Sequence, residues 1–155
     1  MESLLGLLIL LATFLVMEGV ALVTHRYVMH GFLWSLHKSH HEPREGRFEK
    51  NDWFAVMFAA PSIVFIFLGM NVFWPFLWVG LGMTAYGLMY FIFHDVIVHQ
   101  RIRFRQIPRF GYLRHIVQAH RLHHAVDSKH GAVSFGFLYA PPLAGLRSAV
   151  KQARG

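Results

Sequence analysis

A chain of 155 residues with 15 Lys and Arg against 8 Asp and Glu carries a formal net charge of +7, and 55% of it is hydrophobic. With a mean hydropathy of +0.39 it is long enough for one domain, 1–155, and too oily for an ordinary soluble one. Cysteine is absent, which excludes disulfides, haem-thiolate ligation, thiolate-bound zinc and iron–sulfur clusters; a metal here must be held by nitrogen and oxygen.

The first apolar run, 4–23, is interrupted mainly by Glu18 and matches a hydrocarbon core of ~30 Å. No basic segment precedes it and no small-residue cleavage site follows, so it reads as a retained span. Directly after it come His25-x4-His30 and His37-x2-His40-His41, with Gly31 placed as a helix stop. The second run, 53–70, is preceded by Asn51 and Asp52 as capping residues and contains Pro61, expected to kink it. The third, 75–93, starts on Pro75 and carries Gly80, Thr84 and Gly87 on one face, the small-residue pattern of close helix packing in lipid. His94-x4-His99 follows, and further on His120-x2-His123-His124. Between them, 100–119 holds Arg101, Arg103, Arg105, Arg109 and Arg114 and reads as a solvated or headgroup-facing segment. The stretch 132–146 is apolar but short and broken by Pro141 and Pro142; it reads as interfacial or re-entrant, with a fourth span left open.

The expected fold is therefore an all-α integral membrane protein of about three transmembrane helices with a cytoplasmic, helical, histidine-rich cap. Three spans put all four histidine clusters on one membrane face, because the second span runs back between them. Every Lys and Arg lies in 26–50 or 101–154, and neither the N-terminal end nor the turn at 69–74 has a basic side chain. That asymmetry places the histidine face in the cytoplasm and the protein in a bacterial-type inner membrane. The basic balance alone would also suit nucleic acid, but the spans speak against that partner.

The four clusters hold ten of the twelve histidines: His25, His30, His37, His40, His41, His94, His99, His120, His123 and His124. Neutral imidazole suits iron, zinc and copper, and ten exceed what one ion takes. Two ions with about five histidines each is the simplest arithmetic. On a helix, residues three and four apart share a face, so His37, His40 and His41 group together, as do His120, His123 and His124. Residues five apart lie about 140° apart in projection on an α-helix. Each H-x4-H pair therefore needs a helix end, or feeds two ions. The order H-x4-H then H-x2-H-H occurs twice, a weak internal duplication. His115 and His130 fit neither pattern and read as solvated.

Ten neutral imidazoles leave the charge of two divalent cations uncancelled, so an oxo or hydroxo bridge or nearby carboxylates must help. Glu18, seven residues before His25 on the same helix face, is the first candidate acceptor for a histidine N–H, and Asp95, next to His94, the second. Glu42, Glu45, Glu49 and Asp127 read as solvated charges. Phe32, Trp34, Phe48, Trp53, Phe54, Phe135, Phe137 and Tyr139 surround the clusters as an interfacial belt or as a dry tunnel for an apolar substrate.

At these residues the chain resembles the fatty acid hydroxylase and sterol desaturase superfamily of membrane di-iron oxygenases, and within it the bacterial carotenoid β-ring hydroxylases. The segments HRYVMHGFLWSLHKSHHEPREG, NDWFAVMFA, GMTAYGLMYFIFHDVIVHQR, IPRFGYLRHIVQAHRLHHAV and GAVSFGFLYAPPL carry the likeness almost end to end. The resemblance implies that the ten box histidines bind two iron ions. It implies that O2 is the co-substrate and that electrons come from a ferredoxin-type or NAD(P)H-linked donor. It also implies insertion of one oxygen at C3 of a β-ionone ring, taking β-carotene through β-cryptoxanthin to zeaxanthin. A hydroxylase or desaturase of a fatty acyl or sterol lipid is the alternative within the superfamily. A metal transporter would need ligands deep in the spans, where only Glu18 lies. Oligomeric state is not legible.

Overall fold

The computed structural model describes residues 2–43, 46–102, 108 and 110–154. Three helices are long and apolar enough to cross a membrane, and no strand occurs among the described residues. Helix α1, Glu2–Val23, continues as a π-helical stretch over Thr24–Phe32. Gly31 leaves helical geometry there (φ −105°, ψ −122°) and turns the chain into the short α2, Trp34–His41. A 3-10 turn, Lys50–Asp52, leads into α3, Trp53–Asn71, which runs through Pro61 as one helix. Helix α4, Pro75–Tyr90, also ends in a π-helical stretch, Phe91–Val98. Helix α5 covers Gly111–His123 and α6 covers Leu143–Arg154.

The bundle is held by α4, which packs on both α3 and α1. Gly80 brings α4 against α3: a Cβ there would sit 2.7 Å from the Ile66 side chain and 2.8 Å from the Ser62 carbonyl oxygen. Gly82 does the same toward α1, 2.7 Å from the Leu10 carbonyl oxygen. Thr84 joins Gly80 on the α3 contact, since Ser62 Oγ lies 2.7 Å from Thr84 Oγ1 and both hydroxyls bond the Gly80 carbonyl. Gly87 departs from the expected small-residue face, because it lines a cavity and a Cβ there would meet nothing. Leu4, Leu8, Leu11, Leu15, Ile63 and Phe67 are exposed apolar residues on the outside of the bundle, as a lipid-facing surface requires.

The ends of α1 and α4 and the start of α3 meet at one end of the bundle, where α2 and α5 cover them. Residues 132–142 are not helical, and α6 begins only at Leu143, so the stretch 132–146 does not form a fourth span. The reason lies in Glu18 and the histidines, which supply polar partners to that backbone. A cluster of Ile116, Ala119, Ala140 and Leu146 packs α5 and α6 together.

Candidate metal centre

His25 and His30 both lie in the first π-helical stretch, and His94 lies in the second with His99 as the residue that caps it. A π-helix closes i→i+5 hydrogen bonds, as His99 N–H shows by donating to the His94 carbonyl oxygen at 2.9 Å. Residues five apart then sit one turn above each other. This removes the difficulty an α-helix would pose, and it puts His25 with His30 and His94 with His99.

Two groups of ring nitrogens result. His40, His94, His99, His120 and His124 bring theirs within 4.8 Å of one another, and so do His25, His30, His37 and His123. His41 stands beside the second group, its ring 5.0 Å from His30 and His37 and 4.9 Å from His123, though also 4.5 Å from His124. Its Nε2 is buried without a hydrogen-bond partner. All ten box histidines are thus brought together, and each H-x2-H-H box divides between the groups. His40 crosses to the second half's group, and His123 crosses to the first half's.

Hydrogen bonds orient the rings. The Nδ1–H of His25 donates to the Phe135 carbonyl (3.0 Å), that of His30 to Lys129 (3.1 Å), that of His41 to Val126 (3.1 Å) and that of His123 to Val133 (2.9 Å). His37 donates to Asn51 Oδ1 at 2.7 Å and His40 to Glu49 Oε2 at 3.1 Å. Those oxygens only accept, so Nδ1 carries the proton and Nε2 presents its lone pair inward. The Nε2 atoms then face each other at 3.2 Å in both His25–His37 and His30–His123. Lone pairs that close repel unless a cation stands among them. Two nitrogens at right angles around an ion with bonds of ~2.1 Å are separated by ~3.0 Å. The donor set therefore fits two metal ions bound through Nε2.

Beyond the spans, burial pushes the ring pKa of His37 down to about 3, of His41 to about 4 and of His124 to about 2, with neighbouring imidazoles adding to the effect. The rings of His40, His120 and His123 are held well below 6.5 for the same reasons. They are neutral at pH 7, the form that ligates metal.

The carboxylates depart from expectation. Glu18 does not serve a histidine. Its Oε2 accepts from Tyr86 O–H (2.7 Å), and its Oε1 from the backbone N–H groups of Phe137 (2.8 Å), Leu138 (2.8 Å) and Tyr139 (3.3 Å). Asp95 lies beside His94, its Oδ1 3.4 Å from Nδ1, but that nitrogen is buried without a hydrogen-bond partner. Glu49, read as solvated, is nearly buried and bonds His40. Arg101, read as solvated or headgroup-facing, lies 2.7 Å from Asp52, 3.4 Å from Glu49 and 3.5 Å from Asp95. Glu42 pairs with Lys38 in the open and Asp127 is exposed, while Glu45, Arg103, Arg105 and Arg109 lie outside the described residues. His115 bonds the Ala140 carbonyl (3.0 Å), anchoring the 132–142 loop, and His130 is exposed. Asn51 was legible only as a helix cap. Of the aromatics, Trp34, Phe54, Phe135 and Phe137 pack against histidines, and Phe32, Trp53 and Tyr139 are exposed. Tyr90, not singled out by sequence, stacks on His94 with its hydroxyl 3.5 Å from Nε2.

Beneath the histidines lies a cavity of about 530 Å³ between α1, α3 and α4. Met17, Ala21, Phe58, Met83, Tyr86 and Phe137 make its walls apolar, and His25 is the one box histidine on them.

Three apolar helices carrying two clusters of imidazoles at one end define a helical protein of membrane-spanning type, with two histidine groups that could each hold a metal ion. The chain belongs to the fatty acid hydroxylase family, which it matches over residues 10–140, and enzymes of that family are non-haem iron, O2-dependent. It is 56% identical over 148 residues to a beta-carotene hydroxylase of Pantoea ananas, covering 96% of this chain and 85% of that protein. Against a beta-carotene hydroxylase of Paracoccus sp. (strain PC1) it is 53% identical, covering 94% and 91%. A chloroplastic beta-carotene 3-hydroxylase 2 of Arabidopsis thaliana is 40% identical over 129 residues, 81% of this chain and 42% of that protein. No solved structure matches the chain.

Proposed function

We propose that this protein hydroxylates C3 of the β-ionone rings of β-carotene, giving β-cryptoxanthin and then zeaxanthin, at a centre of two iron ions. The observation that carries this is the largely apolar cavity between the spans, which has His25 on its wall beside two converging sets of imidazoles and polar groups such as Asp95 and Arg101 among its lining. His25, His30, His37, His41 and His123 would hold one ion, and His40, His94, His99, His120 and His124 the other. Bound iron supplies the activation of O2. The balance is C–H + O2 + two electrons + two protons giving C–OH + H2O. The protein's own part is to hold the Nε2 lone pairs inward, to admit a ring from the bilayer, and to keep water from the reacting face.

A carotenoid is about as long as the hydrocarbon core is thick, ~30 Å, so a molecule lying along the spans delivers its end ring to this site. The histidine end is assigned to the cytoplasm of a bacterial inner membrane, on the fifteen basic residues restricted to that side. A soluble, acidic ferredoxin-type donor, or an NAD(P)H-linked one, would be steered there by the same charges.

Expression in a β-carotene-producing host tests the reading. Zeaxanthin should accumulate, purified protein should carry about two irons, and His37→Ala and His120→Ala should each abolish the alcohol. Unchanged β-carotene with an active reductant present, or protein without iron, would overturn it. Hydroxylation or desaturation of an acyl or sterol lipid instead would move the substrate within the same family.

A further inference from the structure

We infer that Phe137, clasped from inside the membrane by Glu18, determines which ring carbon is oxidised; the inference rests on the carotenoid reading above. C4 of a β-ionone ring is allylic and C3 is not, so the C4–H bond is the weaker. Attack at C3 therefore cannot be chosen by bond strength and must be chosen by placement.

Phe137 is placed to make that choice. It lines the cavity and touches both histidine sets. Its ring stacks on His25 (5.8 Å, 9°) and meets His94 edge-on (5.3 Å, 89°) and His120 at 5.8 Å. Tyr90 closes on its other side at 4.4 Å. A ring rising through the cavity meets Phe137 at the boundary between apolar wall and imidazoles.

The loop that bears Phe137 has no secondary structure; His25, His115 and His123 bond its carbonyls, and a carboxylate holds its N–H groups. Glu18, within the first span, accepts three successive backbone N–H groups, those of residues 137–139, and the Tyr86 hydroxyl. Four donors satisfy a group that is otherwise costly at that depth. Gly136 is required for the fit, since a Cβ would lie 2.8 Å from Glu18 Oε1 and from the Tyr139 carbonyl oxygen. Ser134, in the same loop, is held at φ +59°, a conformation non-glycine residues rarely adopt unless the surroundings impose it. Glu18 is thus a positioning residue acting through Phe137.

The step balances at either carbon: C–H becomes C–OH, the second oxygen atom leaves as water, and the ferredoxin-type or NAD(P)H-linked donor supplies the electrons. Only the position differs. The test is the ratio of 4-hydroxy to 3-hydroxy product in membranes of the full chain given β-carotene, O2 and reductant, with iron content measured alongside. Phe137→Ala should raise that ratio at least tenfold, Phe137→Leu by less. Glu18→Ala should shift it the same way, and Glu18→Gln, whose amide oxygen still accepts the three N–H groups, should restore it. If wild-type membranes make no ring alcohol, the carotenoid reading itself fails. If wild type makes the C3 alcohol and both Phe137 variants still make it alone, the inference fails. It fails equally if Phe137→Leu loses all product with iron retained, or loses its iron, because the residue would then be needed for reaction or for the centre rather than for aim.

Discussion

The two histidine sets are alike in count, five each with His41 included, but His99 and His124 leave one of them less buried, and the sets differ in what stands behind them. Around His25, His30, His37, His41 and His123, every Nδ1 donates to a neutral oxygen, four backbone carbonyls and the Asn51 amide. In the other set, His40 donates to the Glu49 carboxylate and His94 lies against Asp95, with Arg101 joining both acids to Asp52. A carboxylate behind an imidazole makes it a stronger donor and leaves negative charge to offset the metal. A duplicated ligand pattern therefore does not make equivalent sites. The set with Glu49 and Asp95 should hold its ion more tightly and favour the higher charge.

The strongest way to break this picture is at the crossing residues. His40→Ala and His123→Ala each remove one nitrogen from the set supplied mainly by the other half of the chain. Each should lower hydroxylation by more than about 100-fold and iron toward one per chain; iron retained in full would show that the crossing assignment is wrong. A smaller effect sharpens the asymmetry. Glu49→Gln should weaken one ion by about 10–100-fold, the usual weight of an outer partner, and alter one of two iron signals in a Mössbauer spectrum. Asn51→Asp should move the other signal and narrow the difference between them.

What the sets share is tested by pH on iron-free protein. The folded pKa values of His37, His41 and His124 lie at about 3, 4 and 2, below the unfolded value near 6.5. Below pH 6.5 the unfolded chain takes up protons that the fold refuses, so stability falls as pH drops. The loss is about 1.4 kcal/mol, or tenfold, per pH unit for each such ring, continuing down to about pH 4 for His41. A denaturation midpoint in detergent that does not move between pH 7.5 and 5.5 would contradict the burial. The smallest effect is expected from Arg101→Lys, which keeps charge but loses the fork that reaches three acids; a few-fold change in activity, with iron content unchanged, is the outcome.

Much of the centre was legible because ligand spacing is local. The ten histidines, the three spans and their shared face follow from residue types and intervals. The H-x4-H pairs resisted, because an α-helical projection sets their members apart and nothing in residues 24–32 or 91–98 announces a π-helix. Glu49 and Arg101 read as solvated because isolated charges near a membrane surface usually are. They are largely enclosed because Glu49 meets His40 and Arg101 meets both Asp52 and Glu49, the last two relations spanning about 50 positions of sequence. Glu18 was singled out correctly as an intramembrane carboxylate and given the wrong partner, since the N–H groups it binds lie 119 to 121 residues away.

The sequence by itself determined the number of histidines, their clustering along the chain, the three long apolar helices and the charge asymmetry. All of these are functions of composition and of distance along the chain, which hydrophobicity and helical geometry translate directly. Only the tertiary structure decided which histidine joins which set, which acids stand behind them, and that Glu18 holds the Phe137 loop. Those depend on how α1, α4 and α5 pack, and packing brings together groups whose separation in sequence carries no periodic signal.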